Sequence, residues 1–295
     1  MERELFDKEL IKSNLNKRKA KDKVLKIITI IATLVGVIFL LVLLIQIFSK
    51  GFKYLNWDFL TGFPSSRPER AGIAPAIVGS MYILVLTILI SVPLGIGTAI
   101  YLELYAKPSK LTEFIKLNIQ NLAGVPAIVY GILGLGVFVK FFMLGSSIIS
   151  GALTLSLLVL SPIIISSQEA LKTVSYSFYE GALALGVSKW QAIKGVVLPC
   201  AISNIITGIV LSLARAVGEA SPLIVVGAAT FLRFLPKSLL DGFTVLPIQI
   251  YNWTSRPEPE FQYLASAGII VLLVIVFMFN ILAIIIRKKF EKKYD

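Results

Sequence analysis

The sequence predicts an all-α, polytopic membrane protein with six transmembrane helices and one helical loop on the cytoplasmic side. Hydrophobic residues make up 56% of the 295 positions and the mean hydropathy is +0.84, which leaves too little polar surface for a soluble fold. The apolar residues gather in long runs, each of about the 20 residues that cross a bilayer or more. Lys and Arg gather between alternate runs, as they do in short cytoplasmic loops. There is no histidine and a single cysteine, Cys200. The sequence can therefore form no internal disulfide, and it lacks the commonest metal ligand and the commonest general base.

Residues 1–26 carry nine Lys and Arg against five acidic residues and read as a cytoplasmic tail. Residues 27–48 form the first transmembrane helix. That run exceeds the ~7–15 residues of a signal-peptide core and has no small-residue cleavage site. Residues 49–73, rich in Gly, Pro and aromatics, are assigned to an external segment.

Five more spans follow within 74–286. The second run, Ala74 to Leu104, is long enough to tilt or bend, with Pro93 marking the place. A basic turn holding Lys107, Lys110 and Lys116 leads to the third run, Leu117 to Phe138, whose small residues permit close helix packing. The fourth runs from Ile148 to Ser167, the fifth from Ile202 to Val226 and the sixth from Leu264 to Ile286. An exposed segment ending in TSRPEPEF joins the last two, and residues 287–295 form a second cytoplasmic basic tail.

Charge placement tests this arrangement. With the two tails, the 106–116 turn and the 169–201 loop inside, 20 of the 29 basic residues are cytoplasmic and eight external. The net charge of +12 then reflects membrane orientation, and no folded basic face is left for nucleic acid.

Within the polar island, Ser177 and Glu180 have the S-x-x-E spacing of a capping box, and Ser188 and Gln191 repeat it as S-x-x-Q. Two short helices are expected, with Gly186 between them in a left-handed conformation and Pro199 ending the second.

The one basic residue inside a span is Arg215, about 13 residues in, or roughly 20 Å along the axis at ~1.5 Å per residue. An intramembrane charge costs at least ~2.5–3.5 kcal/mol on insertion scales and faces a partner or a cavity. Glu219, four residues on, is the expected partner. The pair is either a structural ion pair or an anion gate, in which the guanidinium binds an oxyanion and the carboxylate neutralises it when the site is empty. Ser203, Asn204, Thr207, Ser212 and Ser221 are expected to bond helix carbonyls or neighbouring helices.

The island resembles the EAA loop of ABC-importer permeases: Glu180, Gly181 and Ala182, then three residues, Gly186, nine residues, and Val196 to Pro199. LARAVGEASPLI, Leu213 to Ile224, is similar to a segment of phosphate importer permeases of the PstA type, as are PLGIGTAIYLELY, GVPAIVYG and LPIQIYNW. The resemblance implies that 74–286 is a transport domain in a cell membrane, with a coupling loop at 169–201. Glu180, Gly181, Ala182, Gly186, Leu198 and Pro199 would contact an ATPase, and Arg215 and Glu219 would line the anion path. It also implies a second permease chain of the PstC type, an ATPase dimer of the PstB type and an extracytoplasmic phosphate-binding protein.

The chain itself is expected to bind no cofactor and to be no enzyme, because it has no Gly-Lys-[Ser/Thr] phosphate loop and ATP would be used by the partner. A self-sufficient anion carrier or channel is the alternative. A membrane-tethered helix-turn-helix regulator is a minor one, suggested by ALALGVSKWQAI.

Overall fold

The computed structural model describes residues 2–229 and 231–290, and its regular structure is helical among them. The chain forms two compact units, residues 1–50 and 51–295.

The first unit is one helix, α1 (Glu2–Gly51), so the basic tail and the first span are continuous. No proline interrupts it, and from Ile27 to Phe48 it carries no charge and has apolar residues on every side, as a helix facing lipid must. Thr29 and Thr33 donate to the carbonyls of Leu25 and Thr29 at 2.9 and 2.8 Å.

The second unit begins with α2 (Trp57–Thr61), flanked by 3₁₀ turns at Phe52–Tyr54 and Pro68–Arg70. The Asn56 side chain caps α2 by accepting the Phe59 N–H at 2.7 Å. This segment is folded inward: Phe59 and Ile73 are buried in a cluster with Trp253 and Phe261.

Helix α3 (Ala74–Ile100) runs on through Pro93 and departs from α geometry only at its end, in a π turn at Tyr101–Tyr105. Helix α4 (Lys110–Ala123) is capped by Ser109. Helix α5 (Ala127–Gly134) continues as a π turn over Leu135–Phe141. The expected third span is therefore not a straight helix, since α4 and α5 meet at 105°. Pro126 has no N–H to donate and pushes Val125 out of the helical region, which breaks the chain there. Among the described residues five helices are long and apolar enough to cross a membrane, and the bent pair makes six if it counts as one span.

Helix α6 (Ile148–Lys172), capped by the Ser147 hydroxyl, is the centre of the bundle and packs against α3, α4 and α5. Small residues make this possible. A Cβ on Gly95 would lie 2.5 Å from Ile163, and one on Gly134 would collide with Thr154.

Past α6 the chain forms α7 (Tyr176–Ala184), α8 (Lys189–Ala192), a π turn over Ile193–Val197 and α9 (Leu198–Val217). Pro199 does not end a helix, contrary to expectation, because it sits in the first turn of α9, where the N–H it lacks is not needed. The π turn before it keeps the coil unbroken from Lys189 to Val217, with the Leu198 N–H bonded to the Ile193 carbonyl.

The fifth span also stops short of Val226. It ends at Val217 with Gly218 as its cap, and α10 (Ser221–Val226) starts separately, with Pro222 in its first turn.

The expected exposed segment before the last span is exposed over most of 231–242 and 254–260, but its middle is interior. Phe243, Thr244 and Val245 are buried, and α11 (Leu246–Thr254) buries Leu246, Ile248, Gln249 and Trp253. Helix α12 (Pro259–Phe290) takes Arg287, Lys288 and Lys289 into the last turns of the span, so the basic run does not begin as a separate tail. The rest of that expected tail, 291–295, lies outside the described residues.

Candidate functional site

Two sets of residues stand out. The first is the loop between α6 and α9. The Ser188–Gln191 box forms in full: the Ser188 hydroxyl accepts the Gln191 N–H at 3.3 Å, and the Gln191 side chain accepts the Ser188 N–H at 2.8 Å. The Ser177–Glu180 box does not form. Helix α7 starts one residue before Ser177, its cap Ser175 makes no side-chain cap bond, and the Ser175 and Ser177 hydroxyls pair at 2.8 Å. Gly186 adopts the left-handed conformation expected of it, with φ +82°.

The two short helices share a buried face and an exposed one. Tyr179, Ala192, Ile193 and Val197 pack into a cluster with Ile164, Leu171 and Ala201 at the end of α6 and the start of α9. A displacement of the loop therefore bears on both spans at once. Ala182, Leu198 and Pro199 are half-buried against that cluster or beside it, whereas Glu180, Gly181 and Gly186 face outward. Among the described residues Glu180 makes no hydrogen bond or ion pair. A Cβ on Gly181 or Gly186 would meet nothing within 4 Å. Nothing inside this chain thus demands a glycine at 181, and at 186 only the backbone angle does.

The outer face also carries apolar side chains that the sequence reading passed over. Leu185 is 86% exposed and Trp190 54%, with Tyr176 and Phe178 beside them. The signal that could have found them is their place in a polar loop that lies outside the bilayer. Large apolar groups exposed together on such a surface mark a protein contact. Helix α8 is a single turn that flows into a span, so no free recognition helix for DNA exists here.

The second set lies where α9 ends. Arg215 Nε and Glu219 Oε1 are 3.6 Å apart, with side chains 63% and 22% exposed. Gly218 breaks the helix between them, so the carboxylate sits in the α9–α10 connection while the guanidinium leaves the last turn of α9. There it also lies among the unpaired carbonyls of a helix C-terminus, a favourable place for a cation.

Arg215 borders a cavity of about 210 Å³, lined also by Ser212, Tyr130 and Pro162 and by Leu122 and Val125 at the α4–α5 break. Tyr130 holds that break by donating to the Leu122 carbonyl at 2.7 Å. Glu219 borders a different, water-sized space with Ser80 and Thr87. Two of the four Ser and Thr residues bond helix carbonyls as expected, Thr207 donating to the Ser203 carbonyl at 2.9 Å and Ser212 to the Gly208 carbonyl at 2.9 Å. Asn204 reaches Thr173 at 3.3 Å.

Comparison with known proteins places this geometry in a family. The model of the binding-protein-dependent transport system inner membrane component matches residues 91–294, and a domain of unknown function matches 12–57. The phosphate transport system permease protein PstA of Yersinia pestis is 31% identical over 92% of this chain and 92% of its own. The probable ABC transporter permease protein YqgI of Bacillus subtilis is 33% identical over 79% of this chain and 84% of its own.

Among solved structures, a bacterial alginate ABC transporter in complex with a pentasaccharide-bound periplasmic protein superimposes with a TM-score of 0.66. The match is 18% identical and covers 92% of this chain and 98% of that one. The MetNI methionine ABC transporter gives a TM-score of 0.59 at 15% identity, over 77% of this chain and 100% of that one. These two matches bear on the fold alone. With a span-by-span helical bundle, an outward-facing short-helix pair after α6 and a family match over two-thirds of its length, the chain belongs to the binding-protein-dependent transport system inner membrane components and is similar throughout to PstA permeases.

Proposed function

We propose that this chain is the membrane-spanning permease subunit of an ATP-driven phosphate importer. It would form part of the anion path and couple that path to an ATPase carried on another chain. The observation that carries the substrate class is the similarity to PstA over nine-tenths of both sequences. The coupling role is supported by the outward face of the 176–190 helix pair, with Glu180, Gly181 and Gly186 open and Leu185 and Trp190 exposed. The buried face of the same pair joins α6 to α9, which is the geometry a docked motor needs in order to move the spans.

Arg215 and Glu219 are the proposed anion gate. A guanidinium that is 63% exposed and held on one side only, at 3.6 Å, does not lock helix α9 against its neighbours. Its remaining N–H donors, without a partner among the described residues, are free to grip an oxyanion in fork geometry. The proposed partners are a second permease chain of the PstC type, an ATPase dimer of the PstB type and an extracytoplasmic phosphate-binding protein. The chain binds no cofactor of its own in this reading, and both termini lie in the cytoplasm.

The test is phosphate uptake by the assembled importer in proteoliposomes. Arg215→Gln lowers uptake about tenfold or more, the factor matching charge-assisted hydrogen bonds worth ~1.5–3 kcal/mol, at unchanged abundance. Uptake at the parent rate in that variant would leave Arg215 a structural residue. Gly186→Asp keeps insertion but loses ATPase association, and retained association would remove the coupling role from this loop. Phosphate flux through this chain alone would make it a self-sufficient carrier.

A further inference from the structure

A second arginine, Arg287, directly follows Ile286, which lines an apolar groove. The groove runs between α3, α9 and α12, has a volume of about 370 Å³, and is lined by residues such as Ile88, Ile206, Val217, Val276 and Ile286, with Asn280 the one polar side chain. On α12 it extends from Val276 to Ile286. Ten residues at ~1.5 Å each give about 15 Å, half of the ~30 Å hydrocarbon core and so the depth of one leaflet.

Arg287 follows at the end of the groove. Its Nη1 donates to Thr207 Oγ1 at 3.4 Å, while its Nε is buried with no partner among the described residues. Among the described residues it makes no ion pair, and Lys288 and Lys289 beside it are exposed. A buried guanidinium N–H without an acceptor is costly unless an anion supplies one. Here an acyl-chain-sized apolar slot, as long as one leaflet is deep, is followed by a cation that has no anionic partner among the described residues.

We propose that this groove binds one anionic phospholipid, its acyl chain between α9 and α12 and its phosphodiester on Arg287. The lipid sits at the end of the bundle where the α7–α8 pair joins α9, so its occupancy ties α12 to the coupling end of the transport helix. Free phosphate does not replace it, because it has no chain to fill the apolar slot. The site is independent of the phosphate-importer reading.

The test is native mass spectrometry of the full-length chain, released from mild detergent in the presence of palmitoyl-oleoyl phosphatidylglycerol or of the phosphatidylcholine with the same chains. One phosphatidylglycerol is expected to stay bound to a several-fold larger fraction of the protein than phosphatidylcholine, whose phosphodiester is offset by its own choline cation, and inorganic phosphate is expected not to displace it. Arg287→Gln should lower its apparent affinity about fivefold, the factor for the ~1 kcal/mol that one basic residue gains beside anionic lipid. Lys288→Gln with Lys289→Gln should change it less.

Ala283→Trp, which fills the slot and leaves every charge in place, should abolish retention. A photo-reactive benzoylphenylalanine at position 283 should acquire the mass of a lipid in intact membranes. Equal loss from the Arg and Lys variants, undiminished binding by the Ala283→Trp variant, displacement by phosphate, or a photo-adduct to polypeptide would each overturn the proposal.

Discussion

Gly186 shows how one residue carries two constraints of different origin. Its φ of +82° is a property of the turn, while the space around it is open. Gly186→Ala should therefore cost ~1–2 kcal/mol of local stability through the backbone alone. That loss is measurable as faster amide exchange at 186–192 with membrane insertion unchanged. Ser188→Ala removes the Ser188–Gln191 capping box and should cost ~1 kcal/mol in the same exchange experiment.

A third residue-scale expectation concerns Asp241, whose carboxylate accepts the backbone N–H groups of Lys237 at 2.8 Å and Ser238 at 2.9 Å. Those bonds hold its pKa below the ordinary 3.8. A depressed carboxylate stabilises the folded loop above its unfolded pKa, and the contribution is lost as pH falls through the lower folded value. The amides of Lys237 and Ser238 should thus keep their protection through neutral and mildly acid pH and lose it below about pH 4. Asp241→Asn should remove that pH dependence.

At the scale of elements, irregular turns decide what the apolar runs become. The π turn at Ile193–Val197 lets the loop and α9 form one coil despite Pro199, and it sets the rotation of Trp190 relative to α9. Pro199→Ala removes the reason for that turn. A regular helix there would rotate the loop face, so uptake should fall while membrane abundance holds or rises; unchanged uptake would separate the π turn from coupling.

The α5–α6 contact is the other sensitive element. A larger side chain at Gly134 collides with Thr154, and overpacking of this kind costs ~1–3 kcal/mol. Gly134→Leu should reduce the amount of folded protein recovered from membranes.

At the scale of the whole molecule, the topology turns on whether α4 and α5 together cross the bilayer or fold back. In a background where Cys200 is replaced by Ser, single cysteines at Ser109 and Met143 should label from opposite sides with a membrane-impermeant maleimide. Labelling from the same side would make the pair a re-entrant loop and move the basic turn at 107–116 relative to the tails. Cysteines at Trp57, exposed in the segment before α3, and at Leu185, exposed in the loop after α6, read the same question a second time: opposite faces if the pair crosses, one face if it folds back.

The sequence alone determined the membrane class, the positions of the apolar runs, the Ser188–Gln191 cap, the left-handed Gly186 and the pairing of Arg215 with Glu219. Each of these rests on local spacing or on composition, where a residue's chemistry acts within a turn or two of itself. Only the tertiary structure decided that α4 and α5 break at Pro126, that the stretch 243–250 and Trp253 turn inward, and that Arg287 belongs to a span. It alone showed which face of the short-helix pair is exposed. A proline's effect depends on whether the flanking backbone can shift to absorb it, as the π turn does before Pro199. Burial depends on which distant helix arrives to cover a face, as α6 does, and spacing within one run contains no record of that partner.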